Sequence, residues 1–566
     1  MPELQEKVYS SPRWSWELLD CAMPMTFDTY SNCAHQCVYC FAYFQRAVGS
    51  PKDDYLAHKV SSVDVSRVKR MFTDPDKYAG TFAWYIKGRY VLQWGGLSDG
   101  FDWYERKFRK SLELLRFFRE IDYPISISTK GTWFLGDAEY REVLKDAKNV
   151  HMKYSIITTN EEHVAEIERG CPTAAERFDA LRQLKDLGVG ITTIRFRPYV
   201  IGISDRTVED ICRESEKAGC YSLTTEFLCL ESRASNHARD RYERISKVCG
   251  FDVFPYYRRH SAINTGLLRL NYEVKRPHID RLRDLCALHN LKFFVSDAHH
   301  KEASEGTGCC GLPDEGPLSN INRGQYSEAM QIAKREGRVR WSDIAGLAEP
   351  LRNIPFYAAE GFNAGTTLNR AVRRYQTMFD YMHDVWNKPK LGMSPARYFG
   401  GVLVPSGTDE AGDVVYLYNI PQVSNLPERI KTAAALRQIV YGAKEKLRAD
   451  GSQHGHVAFP VFVLPTLPGY GEAPRLFTEA RISPTYCAVN GDAHKVSEAV
   501  GSSCDVIEAG NREEAVAAAR EAGMEWFWII DPASFAPPHG MARALLSRLE
   551  GRMEPCAEAG AELVCL

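Results

Sequence analysis

The stretch that decides the fold is Cys33-Ala34-His35-Gln36-Cys37-Val38-Tyr39-Cys40, a C-x3-C-x2-C triplet with an aromatic residue before its last cysteine. Three thiolates on one short loop can hold three irons of a four-iron cluster. The fourth iron then lacks a protein ligand, which suits chemistry at the cluster better than simple electron transfer. The triplet therefore predicts Cys33, Cys37 and Cys40 as metal ligands.

Two other uses of clustered cysteines fit this chain less well. A four-ligand zinc site usually combines two separated cysteine pairs, and no second pair lies close to Cys33 in the sequence. Sixteen cysteines spread over 566 residues, with no apolar leader after Met1, are unlike a disulfide-stapled secreted protein. We therefore expect a reducing compartment, the cytoplasm.

The overall composition is that of an ordinary soluble protein with more than one domain. A length of 566 residues exceeds what one hydrophobic core usually supports. The 71 basic and 73 acidic side chains give a formal charge of −2, so the chain as a whole offers no electrostatic argument for binding nucleic acid. The longest apolar stretch, 456–465, contains prolines and is too short to cross a bilayer, so we expect no membrane segment.

Short β-branched or aromatic runs alternate with longer amphipathic stretches between residues 23 and 313, which is the pattern of βα units on a parallel sheet. Arg106–Arg119 is typical of the predicted helices, and Thr173 followed by Glu176 predicts a helix start. The predicted strands are Met25–Tyr30, Tyr90–Trp94, Pro124–Ser128, Val150–Ile157, Gly190–Arg197, Ser222–Leu228 and Leu291–Val295. We predict an α/β fold built on a partial (β/α)6 barrel of the TIM type, whose carboxyl strand ends face the reaction.

The rest of the chain predicts a C-terminal extension. A mainly helical region is followed by a hairpin, Tyr398–Val404 and Asp413–Tyr418, with a turn at Ser406-Gly407-Thr408-Asp409. From His456 onward βα alternation returns. The predicted strands there are Ala458–Leu464, Tyr486–Val489, Asp505–Glu508 and Trp526–Ile530, and the predicted helices are Glu513–Ala522 and Met541–Leu549.

These patterns divide the chain into four predicted parts. They are an N-terminal segment 1–22, the partial barrel 23–315, the mainly helical extension with a hairpin 316–450, and a small α/β domain 451–566. In the last part the strand Trp526–Ile530 ends at Asp531, which is similar to the strand before the metal-binding acid of nucleotide-sugar glycosyltransferases. A docking module that positions substrate is the interpretation we favour.

The cysteine triplet resembles the signature of the radical S-adenosylmethionine (SAM) enzymes, and its C-x-H-x-C-x-Y-C form resembles the variant common in the spore photoproduct lyase-like group. Similar segments follow in order at Ser126-Ile127-Ser128-Thr129-Lys130, at Ile167-Glu168-Arg169-Gly170-Cys171-Pro172-Thr173 with Glu176-Arg177, and at Arg195-Phe196-Arg197-Pro198. The resemblance implies a [4Fe-4S] cluster and S-adenosyl-L-methionine as cofactors and an electron donor such as flavodoxin or ferredoxin as a partner. In these enzymes one electron cleaves SAM, and a 5′-deoxyadenosyl radical takes a hydrogen atom from substrate.

The same resemblance implies that SAM lies at the carboxyl ends of the strands. Gly95 and Gly96 permit close backbone approach, and Ser98 or Asp99 could accept from the methionyl ammonium. The other predicted contacts are Lys130 to the carboxylate, Ser155 and Arg195 to ribose or carboxylate oxygens, and Tyr39 over the adenine or the cluster. Ion pairs at the barrel rim are the alternative for the two basic residues, and we interpret His35 as a structural cap.

Cys309-Cys310-Gly311 follows the last predicted barrel strand, which places two thiols near the open mouth of the barrel. Cys309 and Cys310 could donate a hydrogen atom to a product radical or ligate a second metal. The photoproduct lyase itself has its donor cysteine just after the second strand, whereas Gly95–Phe101 contains no cysteine here. Direct thymine-dimer reversal is therefore not what this chain predicts.

The predicted activity is reductive cleavage of SAM and hydrogen abstraction from a substrate C–H bond. The group resemblance favours a thymine-derived nucleobase in DNA, acted on in base modification or repair. A mutase, lyase or maturase for an amino acid, peptide or small metabolite is the alternative, and a non-catalytic iron–sulfur redox or binding protein is another. The basic and aromatic tract 256–260, with the basic residues up to 283, is either a phosphate and base contact or a solvated helix face.

Overall fold

The computed structural model describes part of the 566-residue chain. The described residues are 12–15, 17–42, 60–231, 236–264, 267–306, 308–359, 375–391, 393–399, 402–419, 456–459, 485–489, 505–509, 513, 517, 526–530 and 561–565. They fall into two compact units. Unit 1 comprises 1–228, 235–253 and 272–424, and unit 2 comprises 229–234, 254–271 and 425–566.

Unit 1 is built on an eight-stranded sheet in which seven strands run parallel. The strands in spatial order are β1 (Arg13–Trp14), β2 (Met25–Phe27), β3 (Leu92–Trp94), β4 (Ile125–Thr129), β5 (Val150–Ser155), β6 (Ile191–Tyr199), β7 (Ser222–Phe227) and β11 (Lys292–Val295). Only β1, at the edge, pairs antiparallel within this sheet. The seven predicted strands are confirmed, and the fold is the partial barrel that the alternation predicts.

Helices connect the parallel strands. In and around the sheet they are Val65–Thr73, Pro75–Tyr78, Ala83–Lys87, Trp103–Phe108, Lys110–Glu120, Ala138–Leu144, Glu161–Ile167, Ala174–Asp186, Val208–Lys217, Asn236–Cys249 and Tyr272–Leu288. The predicted helix 106–119 is two helices, because Arg109 adopts a left-handed conformation with φ of 53°. Its guanidinium pairs with Asp137 and Glu139, at 2.8 and 2.7 Å. The helix start at Thr173 is confirmed as a capping box with Glu176.

The remainder of unit 1 is mainly helical, as predicted. Its helices are Tyr326–Glu336, Trp341–Ala348, Phe356–Ala359, Met378–Trp386 and Pro395–Tyr398. A three-stranded sheet follows, with β12 (Arg338–Val339) and β13 (Leu403–Thr408) on either side of β14 (Val414–Tyr418). The predicted hairpin is present but its turn lies later, at 409–413, because Asp409 N donates to Asp413 O at 2.8 Å.

The described residues of unit 2 form two sheets. The first has β10 (Leu267–Leu270) between β8 (Cys229–Glu231) and β9 (Ser261–Asn264). The second has five strands in the order β17 (Asp505–Ala509), β16 (Thr485–Val489), β15 (His456–Phe459), β18 (Trp526–Ile530) and β19 (Ala561–Cys565). Its only parallel pair is β16 with β17. Most of the predicted helix Glu513–Ala522 and all of Met541–Leu549 and Asp531 lie outside the described residues.

The predicted domain boundaries stay predictions, although residues 316–424 belong to the same compact unit as the barrel. A search of the described residues for a helix long and apolar enough to cross a membrane finds none.

Candidate active site

The cysteine loop, residues 33–40, follows β2 and is held by backbone contacts to two distant segments. Ala34 N donates to Asp102 Oδ2 at 2.5 Å, and Val38 N donates to Ile167 O at 2.9 Å. Gly170 packs so closely on the loop that a Cβ there would lie 2.7 Å from the carbonyl oxygen of His35. The segments around Asp102 and around Ile167 to Gly170 therefore hold the loop in one position.

His35 connects the loop to the turn after the helix Glu161–Ile167 and to the end of β3. Its Nδ1 lies 2.7 Å from Gly170 O, and its Nε2 lies 3.1 Å from Asp99 Oδ2. Burial opposes a charge on the ring, but the hydrogen bond to Asp99 together with the charges of Cys33, Asp99 and Asp102 outweighs burial and raises the pKa of His35 well above its ordinary value. These contacts agree with the structural role predicted for His35.

Asp99 gathers four donors after β3. Its Oδ1 accepts from Phe101 N at 2.9 Å and Thr129 Oγ1 at 2.8 Å, and its Oδ2 accepts from Lys130 N at 2.7 Å as well as contacting His35. Four contacts use the ordinary acceptor capacity of a carboxylate. Asp99 thus organises the strand ends, and its predicted contact to SAM stays a prediction.

The glycines and Ser98 of the same segment lie at the end of β3. Gly95 has φ of +86°, and a Cβ there would lie 2.6 Å from Ser128 O, so only glycine fits. The Ser98 hydroxyl donates to Tyr30 O at 2.7 Å. A Cβ on Gly96 would lie 2.9 Å from Thr26 Oγ1. The backbone here is held in one conformation, and the contacts to SAM predicted for these residues stay predictions.

Glu168 is the centre of a buried network behind the loop. Its carboxylate accepts from the Tyr39 hydroxyl and pairs with Arg177 at 2.5 Å, and neither side chain of that ion pair is exposed. Lys130 Nζ lies 3.9 Å from Glu168 and 5.5 Å from the centre of the Tyr39 ring. Burial opposes the carboxylate charge, but Arg177 and Lys130 outweigh it and lower the pKa of Glu168. In this structure Lys130 makes the rim ion pair that was the alternative to a SAM contact.

Arg241, on the helix Asn236–Cys249, binds the loop from a further direction. Its Nε donates to Val38 O at 2.5 Å and its Nη2 donates to Cys40 O at 2.8 Å. One guanidinium thus holds two carbonyls beside a predicted ligand. No pattern in the sequence singles out Arg241, because its helix carries several other charged residues.

The loop carries the three thiols that would hold the cluster. Among the described residues, no group of three or more His, Cys, Asp or Glu side chains could hold one metal ion. In a cluster each cysteine binds a different iron, so three thiols on one anchored loop suffice. Cys33 and Cys40 are partly exposed, and Cys37 Sγ lies 3.5 Å from Cys171 Sγ.

The face of the sheet that lies opposite the helices is polar along four neighbouring strands. Ser126 Oγ lies 2.9 Å from His151 Nδ1, and His151 Nε2 lies 2.8 Å from Thr193 Oγ1. Thr193 contacts Ser222 Oγ at 2.8 Å, and Ser222 donates to Gly311 O at 3.1 Å. We call the space inside the partial barrel, which this polar face lines, the lumen. Alternate residues of a strand share a face, so the lumen side carries Ser126, Ser128, His151, Lys153, Ser155, Thr193, Arg195, Arg197, Ser222, Thr224 and Glu226.

Basic side chains dominate the lumen. Lys153 is 3% exposed, and its Nζ donates to Gln93 Oε1 at 2.5 Å. Arg197 pairs with Glu226, and Lys301 pairs with Asp20 at 2.9 Å. Burial, with Arg195 and Arg197 acting in the same direction, lowers the pKa of Lys153 to about 8.

Cys309 and Cys310 lie in this basic environment rather than at the outer mouth of the barrel. Their Sγ atoms are 3.9 Å apart. Contact with Cys310 and the charges of Lys301 and Arg197 lower the pKa of Cys309 although burial opposes this, whereas contact with Cys309 and burial raise the pKa of Cys310. The pair therefore favours a thiolate on Cys309 and a thiol on Cys310.

Residues 28–214 match the family model described as the radical SAM superfamily. The matched region holds the cysteine loop and strands β3 to β6. Residues 28–214 form a radical SAM domain. Enzymes of this superfamily use a [4Fe-4S] cluster and SAM, so these are the cofactors of the domain. The comparison with curated proteins gives no match.

Solved structures similar to the chain include two spore photoproduct lyase mutants. One is 14% identical, with a TM-score of 0.38, and the match covers 51% of this chain and 80% of that one. The other, with a dinucleoside spore photoproduct, is 15% identical, with a TM-score of 0.37, and covers 48% and 76%. A radical SAM methyltransferase from Sphaerobacter thermophilus is 14% identical, with a TM-score of 0.30, and covers 48% and 65%. We assign no substrate from these similarities.

The structure brings most of the predicted site residues together in two places. The first group surrounds the cysteine loop and comprises Cys33, Cys37, Cys40, Tyr39, Ser98, Asp99 and Lys130. The second group lies in the lumen and comprises Arg195, Cys309 and Cys310. Sequence reasoning missed Lys153. Its signal was the alternation of His151, Lys153 and Ser155 with apolar residues in a strand that is buried on both faces.

Proposed function

We propose that the chain is a radical SAM enzyme that abstracts a hydrogen atom from a C–H bond of a thymine-derived nucleobase in DNA. The observation that carries the catalytic part is an anchored three-cysteine loop at the carboxyl end of β2 in a radical SAM domain. When bound, the cluster and SAM supply reductive cleavage of SAM and an oxidising radical. The residues proposed to hold the cluster are Cys33, Cys37 and Cys40.

The chain's own residues hold the loop and the strand ends in place for these cofactors. Arg241 and Asp102 fix the loop backbone, and the Glu168 network fixes Tyr39 behind it. Ser155 ends β5, and its carbonyl oxygen accepts from Arg177 at 2.7 Å. Through this contact the end of β5, where Ser155 is proposed to bind the SAM ribose, is linked to the Glu168 network.

Cys310 is the proposed donor that returns a hydrogen atom to the product radical. In that step the S–H bond of Cys310 breaks, a C–H bond forms on the substrate carbon, and a thiyl radical remains on Cys310. An electron from a reduced flavodoxin or ferredoxin and a proton restore the thiol. Cys309, 3.9 Å away, places its sulfur beside the radical centre.

The DNA part of the proposal rests on the C-x-H-x-C-x-Y-C motif and not on the basic tract that follows residue 256. Tyr257 is buried, so its ring offers no stacking surface. Lys275 pairs with Asp297 at 2.9 Å, and Arg281 pairs with Glu209 at 2.8 Å. Arg276 and Arg283 also pair with acids. The described part of this tract is largely neutralised, which favours the helix-face interpretation.

Anaerobic reconstitution followed by measurement of 5′-deoxyadenosine tests the catalytic proposal. With dithionite and SAM, the wild-type chain is expected to form this product, and Cys37→Ala is expected to lose both cluster and product. Cys229→Ser, outside the loop, is the matched control and keeps both. An intact cluster without product would instead favour the redox or binding protein.

Deuterated DNA tests the substrate. Label is expected to move from a thymine-derived base into 5′-deoxyadenosine. DNA affinity is expected to fall steeply between low and physiological salt as counterions are released. A salt-independent affinity with no label transfer would favour the amino acid, peptide or metabolite alternative.

A reducing compartment, the cytoplasm, is part of this proposal. It is supported by twelve cysteines between Cys21 and Cys310 that are free thiols in the structure.

A further inference from the structure

Four basic side chains line the lumen of the partial barrel. Lys153, Arg195, Arg197 and Lys301 are its cations. Arg197 forms an ion pair with Glu226, and Lys301 forms one with Asp20. Among the described residues, neither Lys153 nor Arg195 forms an ion pair. Two cations in this space therefore face no carboxylate in an ion pair.

Burying the charge of Lys153 costs more free energy than burying that of Arg195. Lys153 is 3% exposed, and its ammonium donates to the neutral amide of Gln93, which in turn donates to Ser128 Oγ at 3.1 Å. A buried ammonium without an acid carries a desolvation penalty that a neutral hydrogen bond only partly offsets. A methionine or leucine there would avoid this penalty, so the charge indicates a ligand.

Arg195 and Arg197 extend the same face along β6. The strand registers align β6 with β5 through Lys153 and Thr193 and through Ser155 and Arg195. The Nε of Arg197 is buried and has no hydrogen-bond partner, so the pair with Glu226 does not use all of its donors. Forked guanidinium donors of this kind match the two oxygens of a carboxylate or phosphate.

The acids of the lumen make no ion pair with Lys153 or Arg195. These carboxylates are Glu226, Asp20 and Glu17, and desolvation together with the neighbouring Glu226 raises the pKa of Glu17 to about 7, so Glu17 is only partly charged near neutral pH. Repulsion by Arg197, added to burial, lowers the pKa of Arg195 to about 10.

We propose that the lumen binds an anionic group of the substrate, a carboxylate or a phosphate, between Lys153, Arg195 and Arg197. This deepens the proposed function, since it names a chemical group that the substrate carries and places it beside Cys309 and Cys310. The carboxylate of SAM has the same chemistry, and the experiment separates the two sources.

Thermal unfolding of the full chain under anaerobic conditions, with and without inorganic phosphate or acetate, tests the proposal. One of these anions is expected to raise the midpoint of the wild-type chain in a saturable way. Lys153→Gln is expected to weaken the apparent affinity for that anion by about tenfold or more. Without anion, this variant is expected to be no less stable than wild type, because it removes an unpaired buried charge.

Lys292→Gln is the matched control, because Lys292 is exposed and pairs with Glu305 at 3.0 Å. It is expected to leave the anion effect unchanged. If Lys153→Gln does not fold, Arg195→Gln on the neighbouring strand carries the same expectation. An anion effect that is absent, or equal in the wild-type chain and both variants, would overturn the proposal.

Saturating SAM identifies the source of the anion. If the substrate supplies it, phosphate or acetate stabilises the SAM-loaded chain further, with unchanged apparent affinity. Competition between SAM and the anion would overturn the assignment to the substrate. None of these measurements depends on SAM cleavage, so the proposed catalysis and this site can fail separately.

Discussion

Replacing Arg241 with alanine should release the cysteine loop and make the cluster labile. The guanidinium makes two hydrogen bonds to loop carbonyls, at 2.5 Å to Val38 and 2.8 Å to Cys40. A hydrogen bond to a charged group contributes about 1.5–3 kcal/mol. Because Arg241 is only part-buried, we take about 2 kcal/mol for both bonds together.

That loss corresponds to about a thirtyfold shift from the anchored to the released loop, at 1.4 kcal/mol for each factor of ten. The assay is iron and sulfide content after anaerobic reconstitution, together with the rate at which a chelator removes iron. Arg241→Ala is expected to lose iron roughly thirtyfold faster than wild type. Arg241→Lys keeps the charge but not the fork, so an intermediate rate is expected.

A cation beside the loop should also stabilise the more negative, reduced cluster, so Arg241→Ala is expected to lower its reduction potential. Arg239→Ala, an exposed arginine on the same helix, is the matched control and should change neither measurement. If Arg241→Ala retained iron as wild type does, with an unchanged potential, the guanidinium would have no role in positioning the loop.

Three further outcomes follow from the buried charges and the thiol pair. Glu168→Gln should lower the free energy of unfolding, measured in denaturant, by about 3–5 kcal/mol, because it leaves Arg177 buried without its acid. The control is Asp179→Asn, which removes an exposed ion pair with Arg182 and should change the free energy of unfolding by less than about 1 kcal/mol. The pKa of Lys153 is about 8 in the folded chain and 10.5 in the unfolded chain, so between these pH values the unfolded chain binds more protons. The free energy of unfolding should therefore rise with pH across this window, by roughly 3 kcal/mol more in the wild-type chain than in Lys153→Gln. Parallel pH profiles of the two proteins would show that Lys153 does not titrate in this way. Cys310→Ala should leave 5′-deoxyadenosine formation intact and change the substrate-derived product, as mass spectrometry would show, and an unchanged product would exclude Cys310 as the hydrogen donor.

The sequence predicted the elements whose cause is local. The cysteine triplet lies within eight residues, so the spacing of Cys33, Cys37 and Cys40 is visible without a fold. The parallel strands follow from short apolar runs between amphipathic helices, and the helix at Thr173 follows from a capping box that spans four residues. One exception is not local: Arg109, with φ of 53°, interrupts a predicted helix, and its side chain pairs with acids on another segment.

The tertiary structure decided which distant polar groups meet. Strand order brings Asp99 to His35 and the helix Asn236–Cys249 brings Arg241 to the loop, and neither pairing has a periodic signal. The basic lumen likewise depends on the register that puts Lys153 beside β6 and on the return of Cys309 and Cys310 into the barrel. The sequence by itself thus determined the cofactor chemistry, because ligand spacing and hydrophobic period are properties of neighbouring residues. The surroundings of that chemistry arise only on folding, because Coulomb and hydrogen-bond partners are selected by distance in space, whatever their separation along the chain.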